Sequence, residues 1–468
     1  MNCTIVDNDN PDRIFFINRS DLDGSLDANY YKPSISTLEK LIRCRSTHSL
    51  KDYAKSIAGG ATPKKTEADK YYSDSEHGVP FLRVQNLQTN GELSLEGCLY
   101  INKETHNGLL ARSQVSEGDL LVKITGVGRM AVASVAPQGF VGNTNQHMVV
   151  IKTNDTTASK YLARYLNLDI IEKIASRHST GGTRPALDYT SLKNIPIIEN
   201  IDFTLIDNAI AIQNKKNVEA QLLLDSINDY LLEALGITLP DIDSDLSDRI
   251  FCIKSSELVD RLDPRFNRYS VFFKNISSSY SFATLNEVLL NKGQYGANES
   301  AIDYNVGDVR YIRITDIDEL GYLKDTDKKT ASTIDSNYLL KSDDILFARS
   351  GSVGKCYIHK DLSCPAIFAG YLIRFDLDKN KINPDFLFYY CNSKMYKLWV
   401  DTIQRPAVQA NINAQEFRKM IIPLPPLQKQ EEISKHILEL RQKANSLREE
   451  GKQILQQANK EVEQMILG

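Results

Sequence analysis

Residues able to do chemistry are scarce in this chain, and each candidate fails on spacing. Ser350-Gly351-Ser352-Val353-Gly354-Lys355 has the glycines and the lysine of a phosphate-binding loop. Such a loop cradles phosphate with backbone amides; its pattern needs a glycine five positions before the second one, and Ser or Thr after the lysine. Arg349 and Cys356 stand there instead. Thr125-Gly126-Val127-Gly128-Arg129 occupies the equivalent place in the first half, so both strings read as hairpin turns carrying basic residues. Amino-group methyltransferases carry an Asn/Asp-Pro-Pro-Tyr/Phe loop, whereas Asn383-Pro384-Asp385-Phe386 lacks the second proline and begins a helix. The 7 histidines are dispersed, none at metal-ligand spacing from another His or a Cys. No carboxylate–lysine set of a metal-dependent nuclease stands out. Nothing argues for catalysis.

What does gather is basic and amide side chains, in corresponding loops of the two halves. The first half offers Arg83, Gln85 and Asn86; Lys123 and Arg129; then Arg177, His178, Thr180, Thr183 and Arg184. The second offers Tyr295, Arg310, Arg313 and Thr315; Arg349, Ser350, Ser352 and Lys355; then Gln404, Arg405, Gln409 and Asn411. Arg reads guanine, and Asn or Gln reads adenine, through paired hydrogen bonds in the major groove, while Ser, Thr and Lys serve phosphates. Any one of these residues reads equally well as a solvated loop residue. Together they say more: corresponding loops keep polar character while the residues differ, as two modules reading different sequences would require.

The elements that must position these loops are duplicated. DRIFFINRSDLDGSLDANYY (12–31) echoes DRIFCIKSSELVDRLDPRFN (248–267), and VPFLRVQNLQTNGELSL (79–95) echoes VRYIRITDIDELGYLKD (309–325). VSEGDLLVKITGVGRMAVAS (115–134) echoes LKSDDILFARSGSVGKCYIH (340–359). A period near 230 is too long for a solenoid and means a duplicated domain. Each copy ends in a long helix with a heptad-like seam. The first seam is Ile206, Ile210, Gln213, Asn217, Ala220, Leu224, Ile227 and Leu231; the second is Ile433, Ile437, Leu440, Ala444, Leu447 and Ile454. Alternating steps of four and three make a seam for a partner helix. Duplication makes the pair antiparallel, and the amides Gln213 and Asn217, opposite Leu440 and Ala444, either set its register as buried amides do or mark exposed ends of the seam.

Within each copy, 36–57 has helical spacing and ends at Gly59-Gly60, a helix stop. The block 79–152 reads as short, mostly antiparallel strands, 158–167 and 384–392 as short amphipathic helices, and 170–197 as a loop returning to a closing strand. The expected organisation is α+β: a first domain over 1–199, a long helix over 200–236, a second domain over 237–426 and a second long helix over 427–468. The second copy starts in the linker 237–248. A chain of 468 residues with 42% hydrophobic and 25% charged residues has ample core for this plan. It shows no apolar run long enough to span a membrane and no signal start. The 7 cysteines lack any C-x-x-C pair, which suits a reducing cytoplasm.

At this point the residues carry a family resemblance. IPLPPLQKQEEI after a strand, GGATPKK followed by VPFLRVQNL, GQYGAN followed by VRYIRITDI, and the duplication resemble the specificity subunit of type I restriction–modification systems. Asn194-Ile195-Pro196-Ile197-Ile198 in the first copy lacks the Pro-Leu-Pro-Pro run of the second. The resemblance implies a non-catalytic DNA reader with two target recognition domains, each binding half of a split asymmetric site on double-stranded DNA. The antiparallel helices would act as spacer, giving a pseudo-twofold, nearly circular arrangement, and would dock two modification (methyltransferase) subunits. S-adenosylmethionine, ATP and Mg would belong to those partners and to the restriction (motor-nuclease) subunits, and no cofactor to this chain. A stand-alone methyltransferase or nuclease, and a paired-helix scaffold that binds proteins, are the competing classes.

Overall fold

A computed structural model of the chain describes residues 10–22, 27–239, 252–255, 258, 262–264, 266, 267, 273, 276–361, 363–403 and 410–468. The chain divides into two compact units, Met1–Lys216 with Arg448–Gly468, and Asn217–Leu447. The first unit contains helix α1 (Pro33–Arg45) and strands β1 (Ser56–Gly59), β2 (Val79–Leu82), β3 (Leu120–Lys123), β4 (Ala133–Val135), β5 (Val141–Thr144) and β6 (Met148–Lys152). Helices α2 (Thr156–Leu166) and α3 (Asp169–Arg177) follow, and the first turns of the long helix α4 (Thr204–Ala234). One sheet has the order β1-β6-β3-β4, antiparallel throughout. In the other, β2 and β5 run parallel, with Phe81 opposite Asn143.

The second unit repeats this. Strands β7 (Gln294–Tyr295), β8 (Arg310–Ile312), β9 (Ile345–Ala348), β10 (Cys356–Ile358), β11 (Ala366–Phe368) and β12 (Leu372–Phe375) precede helices α5 (Pro384–Tyr390), α6 (Lys394–Ile403) and α7 (Leu427–Leu467). The four-stranded sheet is β7-β12-β9-β10, and β8 pairs with β11 in parallel. The hairpin strings lie where their glycines predict, between β3 and β4 and between β9 and β10.

The central strands are apolar at most positions, Lys123, Lys152 and Arg374 excepted, because both of their faces are covered. Leu120, Val122, Val149 and Ile151 pack under α2 and α3, while Leu121, Met148 and Val150 face a second core with Leu82 and Val115. Ile345, Phe347 and Ile373 against Leu346, Ala348 and Leu372 divide the same way in the second unit. Period-two alternation thus survives within largely apolar strands. One buried tyrosine anchors each closing strand: Tyr165 donates to the Pro196 carbonyl at 2.9 Å, and Tyr390 to that of Ile421 at 2.8 Å.

The long helices are part of these cores. Ile206, Ala209 and Ile210 of α4 share the first core with Leu455, Ala458, Val462 and Ile466 of α7; Leu231 shares the second with Ile433 and Ile437. In the first unit Gln213 lies against Gly451, and Lys216 pairs with Glu450 at 2.7 Å, so the two helices run in opposite directions. Gln213 meets the backbone of a glycine, and Asn217 is exposed, so neither is a buried register-setting amide. Among the described residues no helix is long and apolar enough to cross a membrane.

Two further sequence expectations are corrected. The segment 36–57 is not one helix. It ends at Arg45, because the Ser49 and Asp52 side chains and backbone close a new capped turn, Leu50–Tyr53, after which β1 pairs with β6. Gly59 is therefore in a strand. The stretch 170–197 holds α3 and the one-turn helix Tyr189–Lys193, with its loop confined between them. The linker 237–248 lies mostly outside the described residues.

Gly60 and Gly296 mark the same crossing in both units. A Cβ on Gly60 would sit 2.1 Å from the Thr144 carbonyl oxygen, and one on Gly296 2.3 Å from that of Phe368. Only backbone can yield there. Gly60→Ala and Gly296→Ala should each destabilise their own unit by about 1–3 kcal/mol, read by calorimetry as a lowered melting temperature for that unit's transition with the other in place.

Candidate nucleic-acid interface

Arg83 and Arg313 hold one position in the repeat. Each precedes a 3-10 turn (Val84–Asn86 or Ile314–Asp316), whose last side chain, Asn86 or Asp316, accepts the arginine's backbone N–H at 2.8 Å. Asn86 is fully buried and also donates to the Ser94 carbonyl, so it closes the turn from inside. The next residue outward, Gln85 or Thr315, is exposed in both units. The Arg83 guanidinium donates to the Gly97 carbonyl at 2.7 Å. That of Arg313 pairs with Asp316 at 2.7 Å and with Asp327 at 3.3 Å, and the Asp316 hydrogen bond raises its already high pKa.

In the second unit these residues open onto a cleft of about 570 Å³. It brings together Arg313, Thr315, Ser350 and Ser352, and adds Asn298, Glu299 and Tyr371, which the sequence reading missed. Ser350 is buried and bridges through its backbone to Asn411. Next to it, Arg349 stacks 4.9 Å from the Tyr295 ring centre, and the Tyr295 hydroxyl accepts the Ala414 N–H at 3.2 Å. Arg310 and Lys355 turn elsewhere: Arg310 donates to the Lys324 carbonyl at 2.5 Å, and Lys355 pairs with Glu319 at 2.7 Å. Gln404, Arg405 and Gln409 lie outside the described residues.

The first unit distributes its residues differently. Thr180, Thr183 and Arg184 are exposed in one loop around Gly181-Gly182, pinned by the backbone bridge from Thr180 to Ala186. Arg129 pairs with Asp169 and donates to the Asn167 carbonyl, which ties it to the start of α3. Lys123 is buried, with Nζ donating to the Val127 carbonyl at 2.7 Å, and burial lowers its pKa. Thr62, delivered past Gly60, donates its hydroxyl to the exposed Gln146. Those two were also missed. In the repeat, Gln146 stands where Gly370 of the cleft stands, a match visible only once the cleft is known.

Arg177 and His178 face inward on α1. Arg177 Nη1 reaches Glu39 at 2.8 Å, its Nε donates to the Tyr30 carbonyl at 2.7 Å, and its guanidinium lies 4.6 Å from the Tyr30 ring centre. His178 Nε2 lies 2.9 Å from Glu39. Burial works against the Glu39 charge, but contacts from His178 and Arg43 outweigh it and hold the carboxyl at about 2. Among the described residues no group of His, Cys, Asp and Glu could hold a metal ion.

The family described as type I restriction modification DNA specificity domain matches residues 46–198 and 278–457, most of the chain. The chain belongs to that family. Each match covers the strands, hairpin and loop just described, so this specificity chain is a DNA-recognition subunit, not a catalytic one. It is 22% identical over 458 residues to the type I restriction enzyme StySPI specificity subunit of Salmonella potsdam, covering 93% of this chain and 87% of that one. To the EcoKI specificity subunit of Escherichia coli it is 21% identical over 417 residues, 86% of this chain and 83% of that one. Among solved structures, the HsdS subunit of Thermoanaerobacter tengcongensis is 13% identical with a TM-score of 0.33, over 90% of this chain and 94% of that one.

The Glu39 cluster sets an acid limit on the specificity subunit. A carboxyl at about 2 in the fold and 4.5 when free gives stability that is complete above the free value and fades as pH falls from 4.5 toward 2. Glu39→Gln should lower first-unit stability by about 3 kcal/mol at neutral pH. It should also flatten the decline across that acid window, followed by circular dichroism melts at successive pH values.

Proposed function

We propose that each unit reads one half of a bipartite, asymmetric site on double-stranded DNA, while the long helices set the gap between halves and dock two modification subunits. Those partners carry S-adenosylmethionine and methylate adenine; restriction motor-nuclease subunits, using ATP and Mg, cut sites left unmodified. The complex works in the bacterial or archaeal cytoplasm. One observation carries this reading: a single scaffold is built twice with different side chains at matching solvent-facing positions, Gln85 against Thr315 and Val127 against Ser352. A structural duplication has no need of such differences, whereas two half-sites of different sequence require them. The helix lengths support a spacer. The 31 residues of α4 extend about 46 Å at 1.5 Å per residue, more than the roughly 34 Å between successive major grooves.

Sequencing methylated adenines in a host with and without this gene gives the target. Arg184→Ala in the exposed first-unit loop should then relax preference in one half by about tenfold and leave the other unchanged. Equal loss in both halves would contradict independent readers. Adding one heptad to α4 and to α7 should widen the unread gap by about three base pairs without altering either half. A fully assembled variant with the original gap would refute the spacer.

A further inference from the structure

The hairpin between β3 and β4 carries Val127 at its tip, 78% exposed, between Gly126 at φ 120° and Gly128 at φ 80°. A single exposed apolar residue is ordinary on a protein surface; what sets Val127 apart is the support beneath it. Lys123 is 4% exposed and directs its ammonium onto the Val127 carbonyl oxygen at 2.7 Å. Burying a cation is costly unless its bonds are made, and this one makes a bond that fixes the tip. Gly126 N–H donates to the Pro185 carbonyl at 3.0 Å, and Thr125 bridges to Ala186. The tip is therefore stitched to the loop that exposes Thr183 and Arg184. It is a braced backbone with an isopropyl group facing solvent, at the edge of the face assigned to DNA.

The matching hairpin of the second unit differs at both points. Ser352 takes the place of Val127, and Ala348 the place of Lys123. A serine hydroxyl can serve phosphates and bases alike; a valine has no hydrogen bond to offer. The C5-methyl of thymine is the apolar group that base pairs present in the major groove. We propose that Val127 is a specificity-determining residue that packs on a thymine methyl in the first half-site, with Lys123 holding the tip in position. This rests on the half-site reading above.

The test uses the full chain assembled with its modification subunits and duplexes bearing the mapped target. Each thymine of the first half, on either strand, is replaced singly by deoxyuridine, which lacks the methyl. One replacement should weaken wild-type binding about fourfold, the worth of one buried methyl. With Val127→Ser that difference should vanish, while every replacement in the second half acts as in wild type and confirms an intact reader. A methyl preference that persists in Val127→Ser, or a first half in which no thymine methyl matters, overturns the proposal and leaves half-site reading standing. Failure of the wild-type complex to prefer the mapped duplex over random DNA would instead remove half-site reading, and this inference with it.

Discussion

The structure hangs on the way each recognition domain borrows a helix cap from a long helix. A helix start leaves backbone N–H groups without intrahelical partners. At α3 they are met by Glu463 of α7, whose carboxylate accepts from Asp169 N and, at 3.3 Å, from Ile170 N. At α6 the Asn228 side chain of α4 accepts from Lys394 N at 2.7 Å. Each unit thus completes one of its short helices with a side chain from a helix that begins in the other copy. Burial pushes the Glu463 carboxyl up, partly offset by the two N–H groups it serves. Its apolar neighbours Val462 and Ile466 enter the first core.

A second layer of contacts fixes a turn of each domain to the helices, with chemistry that differs between copies. Asn214 on α4 donates to Glu92 at 3.0 Å, an exposed pair of little energetic weight. In the second unit Arg441 on α7 donates to the Tyr322 hydroxyl at 2.8 Å and lies 4.8 Å from the Tyr389 ring centre. Glu92 and Tyr322 occupy matching places after the turn glycines Gly91 and Gly321. The arginine buried against aromatic rings is the stronger device, since cation–π attraction grows as the cation loses water. The place of attachment is shared; its strength is not.

Much of this was legible in the sequence. The repeat, the seams of α4 and α7 and the two hairpins are written in apolar period and glycine placement, which local physics reads directly. The extra buried residues Leu455, Val462 and Ile466 were not, because they share a core with the domain as well as with α4, and a heptad template has no place for that second neighbour. The long helix expected over 36–57 failed for a related reason: its strand partner at 148–152 lies about a hundred residues downstream. Among the loop residues, composition could not give the direction of each side chain. Arg177 and His178 look solvated until Glu39, far upstream, turns them inward, whereas Thr183 and Arg184 sit between glycines and a bridge that leave them outside.

The two hairpins have a consequence for how such a chain can change. Their backbone course is set by glycines at positive φ and by bonds to the neighbouring loop, Thr125 to Ala186 and Ser350 to Asn411. The exposed side chain at each tip takes no part in that bracing. Replacements there are nearly free of folding cost, while replacements in the strands below are not. Drift will therefore accumulate at the tips, and a lineage can explore new readings while its architecture is held still.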